Sequence, residues 1–111
     1  MSDSYKKTVE QFTKIVNARH VHHLDNVLEE NVEKIENSKV AYQNICEARE
    51  YYSMEHEAHP SVNFVVTDFG EEDHKKKTLT ATVSYNNHEY ATTYTFSPAG
   101  KILKIQSVLQ E

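Results

Sequence analysis

His20, His22 and His23 fall almost side by side, and His56 with His59 make a second cluster among the chain's 7 histidines. Imidazole is the commonest metal ligand, so zinc chemistry is the first reading to weigh. His20 and His23 have the spacing that puts two side chains on one helical face. No recognisable motif supplies a third ligand, and Cys46 is the single cysteine. Solvated histidines at a helix start are the better account, and no metal or other cofactor is expected. Cys46 sits near the start of a helical pattern, where a thiolate is favoured, but nothing in the pattern pairs a histidine with it. A small buried hydrophobe is its default role. The tyrosines are more informative. Tyr85, Tyr90 and Tyr94 alternate along strand-like segments with Thr92, Phe96 and Ser107 nearby in the pattern. In a core their hydroxyls need partners, because a buried unpaired hydroxyl costs roughly 1–3 kcal/mol. In a pocket they supply aromatic walls and a few convergent polar groups, the usual make-up of a small-ligand site. Both readings stay open.

Composition narrows the setting. A chain of 111 residues suits one domain, residues 1–111, and 2 Gly with 2 Pro exclude a collagenous or linker-like polymer. Net charge of −5 argues against a nucleic-acid surface, which needs a basic excess. No apolar run approaches the roughly 20 residues that span a bilayer, so no membrane is expected. Met1 to Lys7 leads into an amphipathic segment and not an apolar signal core. With one cysteine and no export signal, the expectation is a reducing, cytoplasmic compartment.

The elements that would carry these residues follow from periodicity. Tyr5, Val9, Phe12 and Val16, widened by Ile15, predict a helix over about Ser4 to Ala18, with Asp3 or Ser4 as its cap. Val21, Leu24, Val27 and Leu28 predict a shorter second helix ending near Glu30. Val32, Lys34 and Glu36 then alternate with Glu33 and Ile35, and Asn37-Ser38 reads as a turn before Lys39 to Tyr42, giving two short strands. Asn44 and Glu47 form a capping-box-like pair that opens a third helix with stripe Ile45, Ala48, Tyr52, stopping before Pro60. After it come a strand over Val62 to Phe69, a charged turn over Glu71 to Lys77, and strands over Thr78 to Tyr85, Tyr90 to Phe96 and Ile102 to Leu109. Asn86-Asn87 and Ser97 to Gly100 are the turns between the last three. Lys75 to Lys77 reads as a solvated loop that discourages edge pairing.

Alternation separates the faces. Leu79, Ala81, Val83 and Tyr85 share one face, as do Tyr90, Thr92, Tyr94 and Phe96, and Leu103, Ile105, Ser107 and Leu109. This face should meet the helices. The other carries Thr80, Thr82, Thr93, Thr95, Lys104 and Gln106, with Ile102 and Val108, a composition suited to a solvated sheet or a wet dimer interface.

This layout resembles the nuclear transport factor two-like superfamily, which includes SnoaL-like cyclases and ketosteroid isomerases. The resemblance covers about Lys7 to Leu109. It rests on Phe12 to Ala18, on Leu24 to Leu28, on Asn44 to Tyr52 and on Tyr94 to Ile102 with its Gly-Lys-Ile turn. Where the family commonly has Gly-Asp between the first two helices, this chain has Arg19 to His23. The resemblance implies an α+β cone, three N-terminal helices packed on a strongly curved, mostly antiparallel sheet. It places Glu36 where a ketosteroid isomerase would have its carboxylate base, Phe12 where the donor tyrosine belongs and Thr92 where the donor aspartic acid belongs. Phe12 donates no hydrogen bond and Thr92 is a weaker donor than a carboxylic acid, which argues against that reaction. The pocket it implies is lined by Phe12, Tyr85, Tyr90, Thr92, Tyr94, Phe96, Ile105, Ser107 and Leu109.

Two readings of function follow. The first is a binder of a small apolar ligand, with a cyclase- or isomerase-like enzyme using Glu36 as general base as its variant. The second is a non-catalytic association module that forms a homodimer through the threonine-rich face. A cystatin-like inhibitor shares the layout but would need an inhibitory loop that is not recognisable here.

Overall fold

The computed structural model describes residues 4–110. Asp3, one of the two expected caps, lies outside them, and so does the side chain of Ser4. Helix α1 spans Ser4–Asn17 and buries Tyr5, Val9, Phe12 and Val16, the predicted stripe. Its end is closed by an unusual residue. Arg19 takes φ 65, with its N–H donating to Val16 O and the His20 N–H to Ile15 O. That pattern is the left-handed helix stop that glycine usually makes, and an L-residue there costs on the order of 1 kcal/mol or more. The Arg19 guanidinium offsets it by donating to Asn17 O and Pro60 O at 2.6 and 2.5 Å.

The second helix is shorter than its pattern suggested. A 3₁₀ helix covers Val21–Asn26, and the chain is already in strand β1, Leu28–Glu36, before Glu30. Val27 and Leu28 are buried, but sheet pairing claims them: Ile102 N–H donates to Val27 O at 2.8 Å, and Leu28 is in register with Ile102. A short apolar run does not reveal by itself whether helix or strand will bury it. Asn37 and Ser38, at φ 51 and 71, turn β1 into β2, Lys39–Tyr42. Helix α2, Ile45–Ala58, opens as predicted, with Asn44 Oδ1 accepting from Glu47 N–H at 2.9 Å. Cys46 is exposed on it, a correction to the buried role expected, because the buried stripe is Ile45, Ala48 and Tyr52.

Strand β3 runs Val65–Asp73, later than the predicted Val62 to Phe69. The Asn17 side chain clamps both backbone groups of Phe64 at 2.8 Å, which ties this stretch to α1 instead of the sheet. The turn shrinks accordingly to the residues after Asp73, whose Oδ1 accepts from Lys75 and Lys76 N–H. Strand β4 is Thr78–Tyr85, β5 is His88–Phe96 and β6 is Ile102–Gln110. Asn86 and Asn87, both at positive φ, join β4 to β5 as the sequence indicated.

The six strands form one mixed sheet in the order β2-β1-β6-β5-β4-β3, antiparallel throughout except for the parallel β1–β6 pair. The protein is therefore an α+β fold, with two α-helices and a 3₁₀ helix among the described residues. One of the α-helices, α2, follows the first hairpin and so is not N-terminal to the sheet. The register slips by one residue where Thr95 pairs with Lys104 and Phe96 with Ile102. This bulge turns Ile102 inward, where it is fully buried, and corrects its assignment to the threonine-rich face.

Candidate functional site

Alternation in β1 puts Val32, Lys34 and Glu36 on the inner face, next to Ile105 and Ser107 of β6. Helix α2 lays Tyr51, Tyr52 and Glu55 over this face, and α1 adds Phe12 and Val16. Between helices and sheet lies a cavity of about 200 Å³, closed on its other sides by Phe64, Val83, Tyr85, Tyr90, Thr92 and Tyr94. Its walls are aromatic. Phe12 meets the edge of Tyr52 at 5.8 Å between centroids, and Phe64 stacks on Tyr85 at 4.1 Å.

One end is polar. Tyr51 OH donates to Glu36 Oε1 at 2.8 Å, and Lys34 Nζ lies 3.8 Å from the same oxygen. The Lys34 side chain is 8% exposed and that of Glu36 31%. Lys34 Nζ also stands over the rings of Tyr51 and Tyr52, 5.1 and 5.8 Å from their centroids. Burial lowers the Lys34 amine from its ordinary range, and the charges of Glu36 and Glu55 pull it partly back. Burial raises the phenols of Tyr51, Tyr90 and Tyr94, with Glu36 reinforcing the effect at Tyr51 and Tyr90. Tyr85 is pushed up to about 12, by burial first and then by its 3.0 Å hydrogen bond to Glu55. Protonated phenols that donate, beside the carboxylates of Glu36 and Glu55 and one poorly solvated amine, can bind an oxygen-bearing ligand and exchange protons with it.

The structure brings Glu36, Phe12, Tyr85, Tyr90, Thr92, Tyr94, Ile105 and Ser107 to the cavity wall. Phe96 and Leu109 are not part of it. Phe96 stacks on Tyr5 at 4.1 Å, and Tyr5 on His74, so α1 fills the space beyond Tyr94 that would otherwise extend the cavity. Leu109 pairs with Tyr90 near the end of β6 and stays half-buried outside the cavity lining. Sequence reasoning missed Lys34, Tyr51 and Glu55. The signal for Lys34 was its place between Val32 and Glu36 in the alternation, where a charged residue faces inward.

Elsewhere, the rings of His20, His22 and His23 lie 4.3–6.0 Å apart on the outside of the 3₁₀ helix. Among the described residues no three His, Cys, Asp or Glu side chains are arranged to hold a metal ion. On the outer sheet face Thr80, Thr93 and Gln106 pair in one row, with Thr95 opposite Lys104, Thr82 opposite Ala91, and Val108 exposed beside them. Among the described residues no helix is long and apolar enough to cross a membrane.

No protein-family model matches this sequence, and no curated protein matches it. Solved structures do match. A SnoaL-like protein from Burkholderia thailandensis superposes with TM-score 0.84 at 8% identity, covering 100% of this chain and 98% of that one. An NTF2-like protein from an Exiguobacterium species gives 0.78 at 12% identity over 94% and 98%. SalBIII, an epoxide hydrolase/cyclase-like enzyme of pyran ring formation in the polyether salinomycin, gives 0.79 at 18% identity over 99% and 95%. At such identities the likeness establishes a shared architecture, the NTF2-like and SnoaL-like fold, and leaves chemistry to the site.

Proposed function

We propose that this chain, built on the NTF2-like and SnoaL-like fold, binds a small, mostly apolar molecule with one oxygen-bearing end. In this reading its sheet curves into a shallow cone around the ligand. The observation that carries the reading is an aromatic cavity whose polar end gathers Lys34, Glu36 and Tyr51. Its volume of about 200 Å³ lies below the roughly 300–1,000 Å³ of drug-sized pockets, so the ligand is small. Benzyl alcohol, an aromatic ring with one hydroxyl, should show saturation transfer from the protein by NMR. Val83→Trp, which fills the cavity, should abolish that transfer while leaving a cooperative melt. Equal transfer from the variant would put the probe elsewhere and refute the reading.

A second reading, proton transfer with Glu36 as base, is favoured by the hydrogen bond that fixes its carboxylate on the cavity wall. Isomerisation of a steroid enone is not expected from it. Phe12 supplies no proton to an enolate oxygen, and each missing donor costs about 10²–10³ in rate. Turnover of such an enone that vanishes in Glu36→Gln would show that another hydroxyl, Tyr94 first among them, has taken over.

We also assign a homodimer to the outer sheet face. Threonines interspersed with exposed Val108 and Ala91 give the mixed polar and apolar surface of a wet interface. Light scattering should give about twice 12.9 kDa, and Thr93→Asp with Thr95→Asp should halve it by setting like charges across a two-fold axis. A wild-type monomer at high concentration would refute this. The exposed thiol of Cys46 fits a reducing, cytoplasmic setting.

A further inference from the structure

We propose that Lys34 is a carbonyl-capturing amine, a nucleophile in the cavity wall that condenses with a small aldehyde or ketone while Glu36 moves the protons. The inference rests on the cavity being a small-molecule site and names its substrate class. A lysine present only to neutralise Glu36 would be expected in hydrogen-bond contact with it. Here the close contact on Glu36 Oε1 is the Tyr51 hydroxyl at 2.8 Å, and Lys34 Nζ stands off at 3.8 Å. Among the described residues Glu36 is its nearest ionic partner, the charge of Glu55 also reaches it, and the rings of Tyr51 and Tyr52 lie beside it. The amine thus has N–H groups unspent inside a cavity with aromatic walls. Poor hydration there lowers the pKa of the amine and so raises the share of its neutral, nucleophilic form.

The chemistry closes without any outside reagent. Lys34 ammonium passes one proton to Glu36, and the freed lone pair attacks the carbonyl carbon. As the N–C bond forms, the C=O π pair moves to oxygen, which takes the proton from Glu36. Glu36 then removes a second proton from nitrogen and delivers it to the hydroxyl. Water leaves, and the nitrogen lone pair closes the C=N bond. The products are a protonated imine on Lys34 and one water, with Glu36 again a carboxylate and nothing oxidised or reduced. The size of the cavity restricts the carbonyl compound to a single aromatic ring or a short aliphatic chain.

The test is reductive trapping of the whole protein with benzaldehyde and sodium cyanoborohydride at neutral pH, mapped by peptide mass. Lys34 should gain a benzyl group about tenfold faster than exposed Lys39 and Lys76, since its amine stands in the cavity wall beside the bound aldehyde. Glu36→Gln should slow the trapping about a hundredfold by removing the proton carrier. Lys34→Arg should leave no fast site. Trapping at Lys34 no faster than at Lys39 overturns the inference, and an unchanged rate in Glu36→Gln overturns the role of Glu36. Benzyl alcohol, which cannot condense, separates the two readings. If it binds wild type while Lys34 stays unlabelled, the imine falls and the binding site stands. If it does not bind and Lys34 stays unlabelled, both fall.

Discussion

Raised from neutral pH, the protein should unfold cooperatively by about pH 12, driven by its buried tyrosines. Tyr42, Tyr52 and Tyr94 are 1%, 2% and 3% exposed. Burial holds all three phenols above their ordinary value of 10.0, and the 2.9 Å Tyr42–Tyr52 hydroxyl pair lies among them. Above pH 10 the unfolded chain releases these protons and the folded one retains them. The stability they contribute is complete below pH 10 and is lost as pH rises. Three such groups give a slope of about 4 kcal/mol per pH unit, against a typical total of roughly 5–15 kcal/mol. Lys34 acts in the opposite sense. Its folded pKa lies below the 10.5 of the unfolded chain, so its contribution grows as pH rises towards that value. Circular dichroism and tyrosinate absorbance should therefore change together. Ionisation of Tyr42, Tyr52 and Tyr94 near pH 10 with the fold intact would contradict their burial. The pair Tyr42→Phe with Tyr52→Phe should move the midpoint upward at little cost at pH 7, because both hydrogen-bond partners go together.

Phe96→Ala should cost about 3–5 kcal/mol in denaturant unfolding, and Phe12→Ala distinctly less. Both rings are buried, at 2% and 7% exposure, but their surroundings differ. Phe96 lies flat on Tyr5 with 4.1 Å between centroids, in the part of the core between α1 and the β-sheet that the cavity does not reach. Removing it leaves a void that neighbours on all sides must collapse into or tolerate. Phe12 has the cavity on one side, so part of its surface has no contacts to lose. Equal losses at the two positions would mean that the cavity is filled in solution.

Local pattern was enough for much of this molecule. The stripe of α1, the Asn44–Glu47 start of α2, the span of β4 and the Asn86-Asn87 turn depend on residues a few positions apart, and such signals survive in a single sequence. The inner face of the β4–β5 ladder, and with it most of the sheet side of the cavity wall, could be read because a strand alternates with period two. Where the outcome depended on a distant partner, the sequence was silent or misleading. Leu28 left a helical pattern because Ile102 was there to pair with it. Phe64 was withheld from β3 by Asn17, 47 residues earlier. A bulge between β5 and β6 brought Ile102 inward, and Arg19 filled a left-handed position that glycine would usually hold. The chemistry was decided in the same way. Glu36 and the tyrosines belonged to visible strands, but nothing local to Lys34 says that α2 will cover it with Tyr51 and Tyr52. Desolvation is a property of everything packed around a charge, so the unusual amine of this protein exists only once the tertiary structure has closed over it.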